Sequence, residues 1–532
     1  MNQGVPLEMI GDEILGRLDN GCFKVQVTEI KMRVYTNKKV LLFIIILGLV
    51  LLSSCDSSQN DDESVPSLAE VLSITNTHRE EIVKPGDEVL QALTEGRFPN
   101  RLTLENFFVE NPELMSEIPV EVAAADTEDF FELLRDVYGG YVYFGGDEVF
   151  DVVRDEVIEE LNDFGELSSR TFSEILHRHL APVIEDNHFV INRQPLGRSF
   201  STFRLLEDSN LVFARNDLGF KDSETGKLII AIEGYDMDEI FQLHINEEGD
   251  FYYRPVVILE DQGVSSISIT LIDENGNRQD IELHRQAPLI DSRWSDVPNF
   301  SWMDGLPVIS IRGFGFDETP AGVGTRRFLE YAEQLKDEPV LVVDLRGNGG
   351  GNGIVPLRFF HLITGEIVPT NFFGLRVGLS DFDDMDTPED NQFYVSREIM
   401  EAYFPFEVYR EQFTVIYHKP RSIVEREEIL IILVDQNTAS AAEKFIDIAT
   451  NVTNTLVVGT NTAGALNFDM AFPELFLPRT HIRVGFGSTI FLHPDGRLKE
   501  GRGLLPDVWA DGDELRAILA TILREHEYRS LE

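Results

Sequence analysis

The apolar positions in the first third of the chain recur with the period of an amphipathic helix. From Phe130 to Val137 apolar side chains stand at i, i+3, i+4 and i+7, and Val149 to Leu161 repeats the pattern. Ser168 or Ser169 is placed to cap one further helix. These stripes predict a helical N-terminal domain, residues 78–195.

Strand patterning replaces this helical pattern after residue 196. The segments Leu228–Gly234 and Ser266–Arg285 alternate or run apolar, and the second contains a turn at Glu274–Asn277. They predict a small β-rich module, residues 196–300. Leu228–Gly234 is loosely similar to the start of peptide-binding PDZ modules, but a carboxylate-binding loop is not recognisable, so a β module without a peptide site remains the alternative.

The last part of the chain alternates short apolar runs with helical segments. This is typical of a parallel sheet flanked by helices, so the predicted fold class is α/β, with a core at 301–515 and a C-terminal helix at 516–532. In chain order the predicted core elements are strand Val308–Ile311, helix Arg326–Leu335, strand Pro339–Val343, strand Ile429–Val434, helix Ala439–Thr450 and strand Leu456–Gly459.

Composition narrows the class of partner. The 532 residues include 45 basic and 93 acidic side chains, a formal charge of −48, and 43% are apolar, which excludes wholesale disorder. An acidic surface repels phosphate backbones, so nucleic acid is not an expected partner. Only two cysteines are present, which excludes a disulfide framework.

An apolar run near the N-terminus has the features of an export signal. Lys38 and Lys39 precede the uncharged run Val40–Leu52, and Ser53-Ser54-Cys55 follows. The run rises only ~20 Å as a helix, short of the ~30 Å hydrocarbon core of a bilayer. The end of the run resembles the bacterial lipobox, which implies that Cys55 carries lipid and becomes the first mature residue. A buried core helix is the alternative.

The signal also predicts the roles of the residues on either side of it. A conventional signal begins at Met32, so residues 1–31 are expected to be a gene-model extension, 32–54 the signal peptide and 55–77 an acidic tether. Gln59–Glu63 resembles the acidic export signal of surface lipoproteins in the Bacteroidetes, or is a plain linker. The expected location is the cell envelope, anchored to the outer membrane by lipid on Cys55.

A glycine-rich loop follows the strand that ends at Asp344. Five of the next nine residues are glycine, so backbone N–H groups can face outward and hold an anion or a transient oxyanion. Asp344 and Arg346 are expected to lock this loop by a charge-assisted pair, with Asn348 in support. The loop lacks the Lys-Ser/Thr ending of a P-loop and any GxGxxG, which disfavours nucleotide binding.

Ser440 stands where the strand Ile429–Val434 turns into a helix. At this position a serine is exposed at the carboxyl edge of the sheet, near the positive end of the helix dipole. It is either a nucleophile or a helix cap. The small neighbours Ala439, Ala441 and Ala442 leave room for a substrate backbone.

Together the two segments resemble the tail-specific, or C-terminal processing, serine proteases and their tricorn-core relatives, over about 126–511. The resemblance implies a crotonase-like α/β core, a nucleophile at Ser440, and an oxyanion hole formed by the N–H of Ala441 with that of Gly349 or Gly350. The matching residues are Asp344, Leu345, Arg346, Asn348, Gly349, Gly350, Thr438, Ser440, Ala441, Glu443, Val458, Gly459, Thr462, Gly464, Gly503, Pro506 and Asp507, with Asp186 and His188 in a D-x-H stretch.

One departure leaves the general base open. The processing proteases place a lysine directly after T-x-G, where this chain has Ala465, and the strand in which tricorn-like relatives carry a histidine has none. A serine hydroxyl needs a base at neutral pH. The candidates are His188, which is favoured, then His481, His493 and Lys444.

Three functional hypotheses follow. The first is a serine endopeptidase that cleaves exported or unfolded polypeptides through an acyl-enzyme on Ser440. The second is a catalytically inactive relative that binds peptides or other ligands at the cell surface, which the missing lysine favours. The third is a structural envelope protein in which Ser440 is buried or only caps a helix. No metal or cofactor is expected, because HExxH and Cys/His clusters with ligand spacing are absent from the sequence.

Overall fold

A computed structural model describes most of the chain from residue 66 onward. The chain divides into two compact units, Met1–Asp62 and Glu63–Glu532. In the first unit only the strands β1 (Arg17–Asp19) and β2 (Cys22–Lys24) are described, and they pair antiparallel. The described residues are 17–19, 22–24, 66–77, 91, 104–109, 111–196, 205–206, 213–216, 219–232, 237–246, 249–258, 266–284, 300–303, 305–315, 320–377, 406–409, 413–416, 423–468, 475–492, 500–501, 503–510 and 514–525.

The predicted signal peptide, Cys55 and the first part of the tether therefore lie outside the described residues. None of the helices in the described ranges is both long enough and apolar enough to cross a bilayer.

Nine helices are described, together with one 3₁₀ turn at Leu104–Phe107. They are α1 (Leu68–Thr77), α2 (Val120–Val137), α3 (Gly146–Leu161), α4 (Ser169–Leu180), α5 (Met237–Ile240), α6 (Pro320–Leu335), α7 (Ile354–Thr364), α8 (Ala441–Ala449) and α9 (Glu514–Glu525).

The remaining described strands all belong to the second unit. They are β3 (Glu117–Pro119), β4 (Glu166–Ser168), β5 (Val190–Ile191), β6 (Gln194–Pro195), β7 (Leu205–Leu206), β8 (Phe213–Asn216), β9 (Gly219–Asp222), β10 (Leu228–Ile232), β11 (Phe241–Ile245), β12 (Phe251–Pro255), β13 (Val257–Ile258), β14 (Ser266–Ile272), β15 (Arg278–His284), β16 (Phe300–Met303), β17 (Leu306–Ser310), β18 (Val340–Asp344), β19 (Phe373–Val377), β20 (Phe406–Tyr409), β21 (Phe413–Ile416), β22 (Ile429–Val434), β23 (Thr455–Gly459), β24 (Leu475–Phe476), β25 (Arg483–Gly485), β26 (Thr489–Leu492) and β27 (Val508–Trp509).

A large mixed sheet organises the second unit, and the fold is mixed α/β. Its strand order is β15-β14-β10-β9-β8-β12-β11-β27-β23-β22-β18-β17-β16. From β17 to β27 neighbouring strands run parallel, as their apolar runs predicted. β11 pairs with β27, so the strands of the predicted β-rich module continue the same sheet as the core.

Both faces of the parallel strands are buried, because helices cover each face. Along β18, Leu341 and Val343 pack into a cluster with α7 and α8 that includes Phe359 and Phe445. The alternate residue Val342 packs into a second cluster on the other face, with α9 and α1. This alternation explains why the strands read as continuous apolar runs.

The prediction of a tether through residue 77 is wrong for its last part. Leu68, Val71 and Leu72 are buried against the C-terminal helix α9. Ser67 and Glu70 form a capping box, with Ser67 N–H donating to Glu70 Oε2 at 2.7 Å and Glu70 N–H to Ser67 Oγ at 3.3 Å. An apolar face with a cap folds against the core rather than remaining a solvated linker.

Helices α2, α3 and α4, which we call the helical part, share a hydrophobic core with residues that follow β23. α2, α3 and α4 pack in one cluster that also contains Val484, Phe486 and Ile490. β5 pairs with β25, so that Ile191 faces Val484. The residues just before β5 are thereby held to the chain that follows β23.

Candidate active site

Ser440 occupies a sharp turn between β22 and α8. Its backbone has φ 55° and ψ −120°, a region that residues other than glycine rarely adopt. The side chain is half-buried, and its Oγ lies 3.0 Å from Nε2 of His188. The hydroxyl is therefore paired with a potential base, in the way a nucleophile requires.

His188 reaches Ser440 from the helical part, 252 residues earlier in the chain. It lies two residues before β5, and β5 pairs with β25. Burial lowers the pKa of His188 to about 4, so the imidazole is neutral at neutral pH. Nδ1, the ring nitrogen that does not face Ser440, is buried and has no hydrogen-bond partner among the described residues.

Asp186 holds the backbone segment that carries His188. Its carboxylate is fully buried, and Oδ1 accepts the backbone N–H of His188 at 2.7 Å. The Tyr138 hydroxyl donates to Oδ2 at 3.0 Å. This short Asx-type contact and the buried tyrosine hold the segment 186–188 in one conformation.

Glu500 brings a second carboxylate to the same place. It accepts the backbone N–H of Asn187 at 2.9 Å and that of Asn467 at 2.9 Å. One ligand-type atom each from Asp186, His188 and Glu500 lies within 4.8 Å of the others. Burial, and then the charge of Asp186, raise the pKa of Glu500 well above its usual range.

Glu443 holds the turn of Ser440 to a second loop. Oε2 accepts the backbone N–H of Ser440 at 3.0 Å and that of Ala465 at 2.7 Å. Oε1 accepts the N–H of Gly464 at 2.8 Å and the hydroxyl of Thr462 at 2.5 Å. Burial raises the pKa of Glu443, although all four hydrogen bonds favour its charged form. The carboxylate thus fixes the backbone of Ser440 and the 462–465 loop together.

The ion pair expected in the glycine loop is present. Arg346 donates Nε and Nη2 to the two oxygens of Asp344, each at 2.9 Å, and Arg312 adds a contact at 3.1 Å. Burial alone would raise the pKa of Asp344, but Arg346 and then Arg312 outweigh it, so the pKa is lowered. The pair anchors the loop at the end of β18.

Asn348 connects the glycine loop to the nucleophile turn. Its backbone carbonyl accepts the N–H of Ala439 at 2.9 Å, and its side chain donates to the carbonyl of Ile311 at 3.1 Å. Its Oδ1 accepts the N–H of Gly350 at 2.9 Å. The Gly350 N–H is therefore already engaged, which disagrees with its predicted place in the oxyanion hole.

Gly350 allows the close approach of the two segments. A Cβ at this position would lie 2.7 Å from Ser440 Cβ and 2.9 Å from Ala441 N, and φ is +94°. At Gly349, by contrast, a Cβ would meet nothing within 4 Å. The oxyanion hole formed by the N–H groups of Ala441 and Gly349 stays a prediction.

The other candidate bases lie elsewhere or outside the described residues. Nδ1 of His481 contacts the backbone carbonyl of Glu113 at 2.9 Å in an exposed position, so the proposal that it reaches the site is wrong. Lys444 Nζ lies next to Gly353, at the start of α7. His493 is not among the described residues.

Three site residues received no role from the sequence. Glu443 belongs to the matched serine motif and Asp186 to the D-x-H stretch, so motif spacing contained a signal for both. Glu500 has no local signal, because it reaches the site from the segment between β26 and β27 and acts only through tertiary contacts.

Comparisons with known proteins find one matching family model and several similar solved structures. Residues 307–509 match the model of Peptidase family S41. No curated protein matches the chain. Among solved structures, mature CPAF is 14% identical, with 77% of this chain and 97% of that chain covered and a TM-score of 0.39. The photosystem II D1 C-terminal processing protease is 14% identical, over 75% and 96%, with a TM-score of 0.33. Tricorn protease is 13% identical, over 77% and 37%, with a TM-score of 0.32.

Proposed function

We propose, from the Peptidase family S41 domain that residues 307–509 form, that this protein is a serine endopeptidase with Ser440 as nucleophile and His188 as general base. The observation that carries the proposal is the 3.0 Å contact between Ser440 Oγ and His188 Nε2. This distance lies within the range at which a base removes a hydroxyl proton. It also supplies a base where the family's lysine is replaced by Ala465.

The first chemical step follows from this geometry. Ser440 Oγ attacks the carbonyl carbon of the scissile peptide bond while its proton passes to His188 Nε2. The N–H groups of Ala441 and Gly349 stabilise the negative charge on the carbonyl oxygen. His188 then gives the proton to the leaving amine, and water, deprotonated by His188, releases the acyl group from Ser440.

The surroundings of His188 suit this proton transfer. Burial keeps the imidazole neutral and ready to accept a proton. The carboxylate of Asp186 lies close enough to stabilise the imidazolium that forms in the transition state, and the carboxyl group of Glu500 lies beside both. We assign them as groups that orient His188 and offset its charge.

Substrate and location rest on the sequence. The apolar run before Cys55 supports export and lipid anchoring to the outer membrane, so the substrates proposed are exported or unfolded polypeptides. A crotonase-like fold for the core and a PDZ-like role for the strands of 196–300 belong to the same proposal.

A catalytically inactive peptide-binding protein is the second candidate. The specific observation in its favour is Ala465, which stands where the processing proteases have their lysine and whose N–H is bound by Glu443. Such a protein would keep the glycine loop and the Ser440 turn without turnover.

Labelling with a fluorophosphonate probe tests the proposal. The full chain should label at neutral pH, and Ser440→Ala should abolish labelling and lower peptide cleavage by roughly a thousandfold or more, with little change in Tm. His188→Ala should have nearly the same effect, because the two residues act as a unit.

His481→Ala is the matched control, since its ring contacts the carbonyl of Glu113 away from the site. This variant should label like the wild type. Absence of Ser440-dependent labelling between roughly pH 6 and 9 would favour the binding protein.

A further inference from the structure

Three side chains that can bind a metal ion lie close together beside Ser440. We call Asp186, His188 and Glu500 the His188 cluster. One ligand-type atom from each lies within 4.8 Å of the other two. The cluster is more than a group of acids, because Nδ1 of His188 is a buried nitrogen that has no hydrogen-bond partner among the described residues.

Both carboxylates of the His188 cluster accept hydrogen bonds from uncharged groups. Asp186 accepts from Tyr138 and from the backbone of His188, and Glu500 accepts from the backbones of Asn187 and Asn467. Two nearby carboxylates inside the protein repel each other unless a positive charge lies between them.

We infer that the His188 cluster binds one divalent cation of the zinc class, through His188 Nδ1 and one oxygen each of Asp186 and Glu500. Zinc takes imidazole nitrogen and carboxylate oxygen at about 2.0–2.2 Å in tetrahedral geometry, so its ligand atoms are separated by ~3.5 Å. Zinc binding therefore requires the three ligand atoms to move closer together than the 4.8 Å limit within which they lie here. The imidazole nitrogen favours zinc over magnesium and calcium, which prefer ligand sets made of oxygen.

A cation bound at Nδ1 prevents His188 from acting as the general base. A neutral imidazole has one free lone pair and one N–H. When a cation takes the lone pair of Nδ1, the proton resides on Nε2, which then donates to Ser440 Oγ and cannot accept its proton. The inhibition rests on the proposed function, whereas the binding itself does not.

Zinc binding is therefore measured first in the Ser440→Ala full chain, which keeps the cluster but has no nucleophile. Competition with a colorimetric zinc chelator, in excess magnesium to occupy the acidic surface, should give one tight zinc per chain. In the same background Glu500→Gln and His188→Ala should each weaken that binding by about tenfold or more. The amide of Glu500→Gln is nearly isosteric, so this variant remains informative if His188→Ala folds poorly.

His179→Ala is the matched control. Its ring contacts Glu160 Oε2 at 2.8 Å and Glu156 Oε2 at 3.4 Å on the protein surface, so it offers the same ligand types without the enclosure. Zinc affinity should not change in this variant. Equal affinities in the parent and in Glu500→Gln, or no saturable binding, would overturn the inference.

The second readout is the rate at which the wild-type chain reacts with the fluorophosphonate. Zinc should slow labelling in proportion to occupancy of the tight site, and EDTA should restore it. If Ser440→Ala binds zinc through the cluster but the wild type never labels, the metal site stands and the peptidase proposal fails. If the wild type labels and zinc leaves the labelling rate unchanged, the inference of an inhibitory zinc site fails and the peptidase proposal is unaffected.

Discussion

Ser440 and His188 each adopt a state that is unfavourable in isolation. The positive φ of Ser440 costs about 1–3 kcal/mol for a residue other than glycine, and such strain persists only where the surroundings enforce it. Glu443 and Gly350 supply that enforcement by a hydrogen bond and by close packing. His188 is deprived of water, which makes it a neutral base near a hydroxyl that it can deprotonate.

The lowered pKa of His188 predicts an unusual pH profile. The base must be neutral, and burial lowers its pKa from 6.5 to about 4, so kcat/KM should stay high as the pH falls through 6.5 and decline only near pH 4. Peptide cleavage measured across this range, with Tm recorded at each pH, checks the expectation. An acid limb at pH 6.5 or above, in protein that is still folded, would contradict it.

At the scale of elements, the active turn depends on how α8 is joined to its neighbours. Glu443, in the first turn of α8, accepts four hydrogen bonds, one from the turn before the helix and three from the 462–465 loop. The glycine loop after β18 contacts the same turn through Asn348 and Gly350. Two loops and one helix are thereby fixed relative to the hydroxyl of Ser440.

Glu443→Gln tests this junction. The amide keeps the volume but replaces two acceptor positions with donors that face N–H groups, and each unsatisfied buried group costs about 1–3 kcal/mol. The rate of fluorophosphonate labelling should fall by about tenfold or more, together with Tm.

Thr462→Val is the comparison variant, because it removes only one of the four donors to Glu443. Its effect should be smaller on both measurements. Labelling of Glu443→Gln at the wild-type rate would show that the carboxylate does not position Ser440.

At the scale of the whole second unit, the site exists only where the helical part meets the parallel core. His188 comes from the former and Ser440 from the latter. The helical part is held to the chain that follows β23 by a shared hydrophobic cluster, by the β5–β25 pairing and by Asp126, whose buried carboxylate accepts the N–H of Thr480 at 2.8 Å and its hydroxyl at 2.6 Å. Arg479 adds a contact to Asp126 at 3.0 Å.

Asp126→Asn should loosen this junction. Loss of the charge at a fully buried acceptor should lower the free energy of unfolding by about 2 kcal/mol, and the labelling rate of Ser440 should decrease as His188 loses its fixed position. Chemical denaturation and labelling measure the two effects.

Asp129→Asn is the control for Asp126→Asn. The Asp129 side chain is 35% exposed and pairs with the same Arg479, so its loss should change stability by less than about 1 kcal/mol. Equal effects of the two substitutions would assign the junction to Arg479 charge pairing rather than to the buried acceptor.

The sequence alone determined the parallel strands, because continuous apolar runs are required wherever both faces of a strand are covered. It also located the strand-to-helix turn at Ser440 and the Asp344–Arg346 ion pair, since these residues lie within short motifs whose spacing is local. It missed α1 because a short capped helix next to an acidic stretch resembles a linker until α9 covers its apolar face.

Only the tertiary structure decided how distant segments meet. It placed His188 against Ser440 across 252 residues, brought Glu500 to the same imidazole and engaged the Gly350 N–H with Asn348. Periodicity and motif spacing record the local conformation of a chain. Contacts between segments far apart in sequence depend on how whole elements pack, which no local pattern contains.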